Sequence, residues 1–225
     1  MEKLPHNFRK GLSTFQIILL LIAGYFVWDY IEENYIYKDT PKYLVEFKDA
    51  INDFTQQKDT VKNTYQDAID AQAEAKKVNY VFKNEKTKEF VRKWKDAQRE
   101  VDTLKEKFEV YKDETENFVD HLDENLDKIK NDDTLKERMK EYSKDKALKM
   151  AQNIVKIEKN IAKLDLSIQK GNNLIVALET VSSFNSLASD VKEFDALLSD
   201  SSDIFVEIDS LVEEGVKVLD EELKN

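Results

Sequence analysis

One periodicity governs the middle of the chain. Phe90, Trp94, Ala97, Val101, Leu104, Phe108, Tyr111, Thr115, Phe118, Leu122, Asn125 and Ile129 follow one another at alternating steps of four and three without a slip. Roughly six heptads with an average step of 3.5 residues put all of these side chains on one face of an α-helix; a strand, with its period of two, would scatter them over both faces. Such a helix has to bury that face against other helices. The rings of Phe90, Trp94, Phe108, Tyr111 and Phe118 fit poorly into the aliphatic layers of a two-stranded parallel coiled coil and suit a wider core.

The same rhythm, less regular, extends to both sides. Thr40-Pro41 offers a capping residue followed by a proline at the first helical position, where its missing N–H is harmless. From there Leu44, Phe47, Ile51, Phe54, Val61, Tyr65, Ala68, Ala75 and Phe82 mark a seam, with polar Lys58, Gln72 and Asn79 at intervening sites. Between Asn79 and Thr87 no Gly or Pro decides between a tight turn and a through-going helix. Asn131-Asp132-Asp133 breaks the pattern, and Thr134 with Glu137 forms a capping box for a third helix. That helix carries Ala147, Met150, Ile154, Ile157, Ile161, Leu164, Ile168, Ile175 and Leu178, with Gly171 on the seam. A phase change follows near Ser182-Ser183. Ser199-Asp200-Ser201-Ser202-Asp203 reads as the strongest turn cluster, leaving Ile204, Ile208, Leu211, Val212, Val216 and Leu219 for a short last helix. The expected fold is all-α, an elongated antiparallel bundle of three long helices and one short one, spanning residues 43–199 with an acidic C-terminal helix at 200–225.

At the other end, Leu12 to Trp28 reads LSTFQIILLLIAGYFVW and holds no charge. Extended to Ile31, residues 12–31 reach the length of a membrane span, with Tyr25, Trp28 and Tyr30 as an aromatic belt at the headgroup level. Lys3, Arg9 and Lys10 precede the span, whereas Asp29 sits at its far end near the interface and Glu32 and Glu33 follow it, so the expected orientation places residues 1–11 in the cytoplasm and everything after a 32–42 linker outside. Ile22-Ala23-Gly24 offers a signal-peptidase site, but the apolar run continues past it, which suits an uncleaved anchor.

Composition excludes several function classes. Only 4 Gly and 2 Pro in 225 residues argue against turn-rich β folds and glycine-loop nucleotide sites. With no Cys there is no disulfide, thiolate ligand or thiol nucleophile. A net charge of −11 disfavours nucleic acid, which needs a basic surface. No Gly-x-Ser-x-Gly, P-loop, Gly-x-Gly-x-x-Gly or His-Glu-x-x-His motif occurs, so no catalytic, cofactor or metal residues are nominated and no enzyme is expected. His121 with Glu124 is the nearest approach to a metal pair, and a lone imidazole among carboxylates is expected to be an ordinary exposed helical residue.

The acid excess is uneven: residues 171–225 hold 13 acids and 3 lysines. Glu193, Glu207, Glu213, Glu214, Glu221 and Glu222 are candidates for an outward face that attracts a basic partner, against the plainer reading of a solvated helix face. The expected function is a non-enzymatic membrane-anchored scaffold or adaptor in the cell envelope or at the cell surface. Its partners are the lipid bilayer and a protein, with homo-oligomers open. The alternative is a ligand-sensing or regulatory ectodomain acting on another membrane protein, motivated by polar seam residues Lys58, Gln72, Asn79, Thr115 and Asn125. Lysine outnumbering arginine 31 to 4 and the lack of any Asn-x-Ser/Thr site favour a bacterial surface or periplasmic protein. The orientation has a direct check: protease added to intact cells or spheroplasts should remove the C-terminal region, and protection of that region would reverse the topology.

Overall fold

The computed structural model describes residues 40–128, 133–180 and 188–222. They form four helices: α1 Thr40–Lys77, α2 Glu85–Lys128, α3 Asp133–Thr180 and α4 Ala188–Glu222. At ~1.5 Å per residue these are rods of roughly 50–70 Å. Helix α1 packs along α2, α2 along α3, α3 along α4, and α4 closes the ring on α1. Every neighbouring pair is antiparallel. Phe47 meets Phe118 while Tyr65 meets Trp94 across α1 and α2. Asn153 reaches the Leu211 carbonyl while Lys170 meets Glu193 across α3 and α4.

No helix among the described residues is long and apolar enough to cross a membrane. The expected anchor at 12–31 and the 1–11 tail lie outside the described residues, as does most of the 32–42 linker.

The heptad seams are the core. Phe47, Ile51, Phe54, Val61 and Tyr65 of α1, Phe90 through Phe118 of α2, and Met150 through Leu178 of α3 are buried at the sites read from the pattern. Rings interlock between α1 and α2: Phe54 lies 5.6 Å from Tyr111 and 5.8 Å from Phe108, centroid to centroid. Helix α4 adds Phe194, edge-on to Trp94 at 4.7 Å, and Phe205 against Tyr65 at 6.1 Å. Offset and edge-to-face pairs of this kind are worth ~0.5–1.5 kcal/mol each beyond their burial.

Three details go beyond or against the sequence reading. The first is the α1–α2 connection, which that reading leaves open and which is a turn. Asn79 and Tyr80 both take φ of 52°, Asn79 N–H donates to the Lys76 carbonyl at 3.0 Å and Tyr80 N–H to the Ala75 carbonyl at 2.9 Å. This is a Schellman closure with asparagine where glycine is commonest, since a short polar side chain tolerates the left-handed region. Asn84 then caps α2, its Oδ1 accepting from Lys86 N–H at 2.9 Å. Tyr80, not Phe82, turns into the core, and Phe82 is exposed because the left-handed residues break the seam's phase before reaching it.

The second is the cluster Ser199–Asp203, which is helical, and the last helix is long. Leu198, Ser201, Ile204, Phe205 and Ile208 keep a buried stripe through it. Ser201 occupies a core site and its hydroxyl donates to the Leu198 carbonyl at 2.6 Å, so a residue type typical of turns is satisfied inside the helix. The third follows from it: the division at 199/200 between bundle and terminal helix falls within α4. The described part of α3 ends at Thr180 and that of α4 begins at Ala188.

At mid-bundle Trp94 is fully buried, and a Cβ on Gly171 would overlap its indole at Cε2 and Cζ2. Trp94→Ala should therefore cost roughly 3–5 kcal/mol in urea unfolding of the 40–225 fragment. Gly171→Ala, which gains ~1 kcal/mol of helix propensity, should nonetheless destabilise by about 1–3 kcal/mol through overpacking. Combined with Trp94→Ala it should become neutral or stabilising. Additive single effects would refute the contact.

Candidate functional site

Helix α4 carries twelve acids against Lys192 and Lys217, so its surroundings decide which charge is free for a partner. On its α1 side, Asp209 pairs with Lys58 and Asp195 pairs with Lys76 and accepts from Gln72 Nε2 at 2.7 Å. On its α3 side, Glu193, Asp200, Glu207 and Glu214 recur every seven residues. They run level with Lys170, Lys163, Lys156 and Lys149 of antiparallel α3, and Lys170 closes on Glu193 at 2.7 Å. Asp200, Asp203, Glu207, Glu213 and Glu214 are exposed and hold no ion pair with a described residue.

Of the candidates read from the sequence, Glu193 is thus engaged within the bundle, while Glu207, Glu213 and Glu214 face solvent. The side chains of Glu221 and Glu222 lie outside the described residues. Asp203, not singled out earlier, belongs to the same outward face; its place in a supposed turn concealed its helical register.

Lys58 is the charged residue deepest in the seam, 4% exposed, with Asp59 Oδ1 at 2.9 Å and Asp209 beside it. Burial by itself depresses the ammonium pKa, but the hydrogen bonds and charges of Asp209 and Asp59 outweigh it and hold Lys58 above the ordinary lysine value. Gln72 likewise donates to Tyr80 Oη at 2.5 Å, and Thr115 donates to the Tyr111 carbonyl at 2.7 Å. Three of the polar seam residues therefore have partners. Asn79 serves the turn, and the side chain of Asn125 lies outside the described residues.

His121 is not exposed. It is 5% exposed and stacks on Tyr43 at 4.2 Å, an extra rung of the α1–α2 aromatic ladder, while Glu124 stays in solvent. His121 stands beside the seam, three residues after Phe118, where Tyr43 of α1 covers it. Among the described residues no group of three or more His, Asp or Glu could hold a metal ion. Elsewhere displaced protonation reflects packing and ion pairing. Burial pushes the Tyr111 phenol up to about 12, and Lys77 and then Lys86 hold the exposed Glu74 down at about 2. A surface groove between α1 and α2 is lined by five acids, Asp67, Asp70, Glu74, Glu85 and Glu89, with Lys86 paired to Glu74 and Lys93 to Asp67.

No known family model, curated protein or solved structure matches the chain.

A raised lysine pKa stabilises the fold below the unfolded value and ceases to do so as pH rises through the folded value. The contribution of Lys58 should be complete at pH 8 and fade above about pH 10.5. Comparing urea unfolding of the wild type with Lys58→Met removes the common effect of tyrosine ionisation. The gap between the two proteins should shift against the wild type at high pH, and a pH-independent gap would show that the ion pair does not persist in solution.

Proposed function

We propose that the chain is a non-enzymatic, membrane-anchored helical scaffold that holds or spaces a protein partner in the cell envelope or at the cell surface. Residues 12–31 are the anchor, the basic N-terminal flank lies in the cytoplasm, and the bundle projects outward. The observation that carries this reading is the continuous core. Aromatic and aliphatic layers fill the ring of helices from Phe47 and Phe118 at one end to Tyr80 and Phe90 at the other. A rod packed in this way transmits position. The regulatory alternative draws on polar residues in the seam, and Lys58, Gln72 and Thr115 have partners inside the bundle, which weighs against their making it bistable.

The outward acids of α4 are the docking face in this reading. Deleting residues 200–225 would be a poor test, because it removes Ile204, Phe205, Ile208, Leu211 and Val212 from the core. Neutralisation is cleaner. Asp200→Asn, Asp203→Asn, Glu207→Gln, Glu213→Gln and Glu214→Gln together should keep the helical circular dichroism and lower partner capture, by crosslinking in intact membranes, several-fold. Capture by the wild type should weaken as salt rises through the range where the Debye length falls below ~10 Å. Capture unchanged by both neutralisation and salt would leave the acidic face as solvation alone.

A further inference from the structure

Helix α3 has a second seam. Leu148, Val155, Leu166 and Val176 stand out to solvent at 56%, 48%, 46% and 58% exposure, on the side of the helix away from the core. Their spacings place all four on the two apolar sites of a single 4-3 repeat, and Ala162, also exposed, falls on the same line. Gln152, Lys159, Gln169 and Asn173 occupy the other sites of this repeat. Polar residues there weaken association and fix its register.

The edges of this seam differ in sign. Along the α4 side run Lys149, Lys156, Lys163 and Lys170; along the α2 side lie Glu158 and Asp165. An identical helix placed antiparallel would bring lysine edge to lysine edge. Placed parallel and in register, it brings each lysine edge to the acidic edge of the other, with Glu158 level with Lys163 of the second copy and Asp165 level with its Lys170. Edge charges of this kind set orientation in paired helices. Asp165 and Lys170 already have partners within the bundle, Lys105 and Glu193. Glu158 has no ion pair with a described residue, and Lys163 reaches only Asn160 Oδ1 at 3.1 Å. Beside the seam, Ala147 and Ala151 leave a groove floored by Val119 and Ile154, where a neighbouring helix can approach closely.

We propose that the outer face of α3 is a self-association surface, on which two copies of this chain pair through parallel, in-register α3 helices. The direction follows from edge charge alone and does not rest on the membrane anchor, although it also leaves both N-termini at the same end. Four polar sites among the nine from Leu148 to Val176 make the pairing weak and reversible, so it belongs to high local concentration.

Because the chain has no cysteine, single substitutions report contacts without background. Full-length Val155→Cys, Val176→Cys and, as a control on the outer face of α2, Lys95→Cys would be oxidised in native membranes, after circular dichroism of the purified proteins establishes that each keeps its helix. In the parallel arrangement, Val155→Cys and Val176→Cys should each form a disulfide with its own copy, several-fold above the control. Antiparallel pairing centred on the seam would hold the two copies of position 155 about 20 Å apart, beyond disulfide reach. Adding Glu158→Lys to Val155→Cys should cut the yield several-fold, and adding Lys163→Glu as well should restore it. Yields equal to the control overturn the proposal, as does linkage only between mixed Leu148→Cys and Val176→Cys proteins, which reports the antiparallel arrangement. A yield indifferent to Glu158→Lys also overturns it.

Discussion

The indole of Trp94 lies on bare backbone at Gly171, and around that contact all four helices meet. Tyr65 comes from α1, Phe90 from α2 itself, Gly171 from α3 and Phe194 from α4. A glycine in mid-helix costs about 1 kcal/mol relative to alanine, and here it is offset by burying the largest side chain in the core without pushing the helices apart. The spacing set at this level propagates. Rings on α2 reach past α1 toward α4, and the layers above and below are filled by the aromatic ladder that ends at Tyr43 and His121. A narrower assembly would have no room for these rings, so the number of helices in the bundle follows from the size of the side chains on one of them.

Charge is arranged around that core. The α1-facing acids of α4 meet Lys58 and Lys76, and the α3-facing acids run level with a column of lysines. Most surface pairs of this type are worth ~0–1 kcal/mol and specify alignment more than stability. Lys58 is different because it is desolvated: without Asp209 the buried ammonium would be costly, so the pair ties the position of α4 along α1. The acid excess in the C-terminal quarter is therefore partly a lock between helices. The remainder, centred on Asp203 and Glu213, is exposed and has no ion pair with a described residue.

Much of the architecture could be read from spacing, because burial on a long helix obeys a simple period. The seams of α1, α2 and α3, the polar sites Lys58, Gln72 and Thr115 among them, needed nothing else. What spacing left open or misplaced turned each time on a single polar residue. Asn79 closes α1 without glycine, its two flanking hydrogen bonds being invisible in a search for Gly and Pro. Ser201 sits in a core stripe, where its hydroxyl bonds its own helix, and so a run rich in Ser and Asp did not form a turn. His121 is drawn inward by Tyr43, a residue 78 positions away, which no local pattern records. For the acidic face, composition identified the segment, but only the antiparallel register with α3 and α1 separates engaged acids from free ones.

Continuity of α4 through Ser199–Asp203 bears on what the outer face can do. Had the chain turned there, the acids after it would belong to a short helix held by few core residues, free to reorient against a partner. Instead Val191, Phe194, Leu198, Ser201, Ile204, Phe205 and Ile208 form one buried stripe, and Asp200, Asp203 and Glu207 are fixed on the opposite side of the same helix. Moving any one of these acids would require sliding or unwinding a helix whose inner face is interlocked with Trp94 and Tyr65. These charges are therefore already in place, and the helix that carries them has little freedom to rearrange. The contact of one tryptophan with one glycine at mid-bundle sets the level at which that helix is held, and with it the positions of the acids on its outer side.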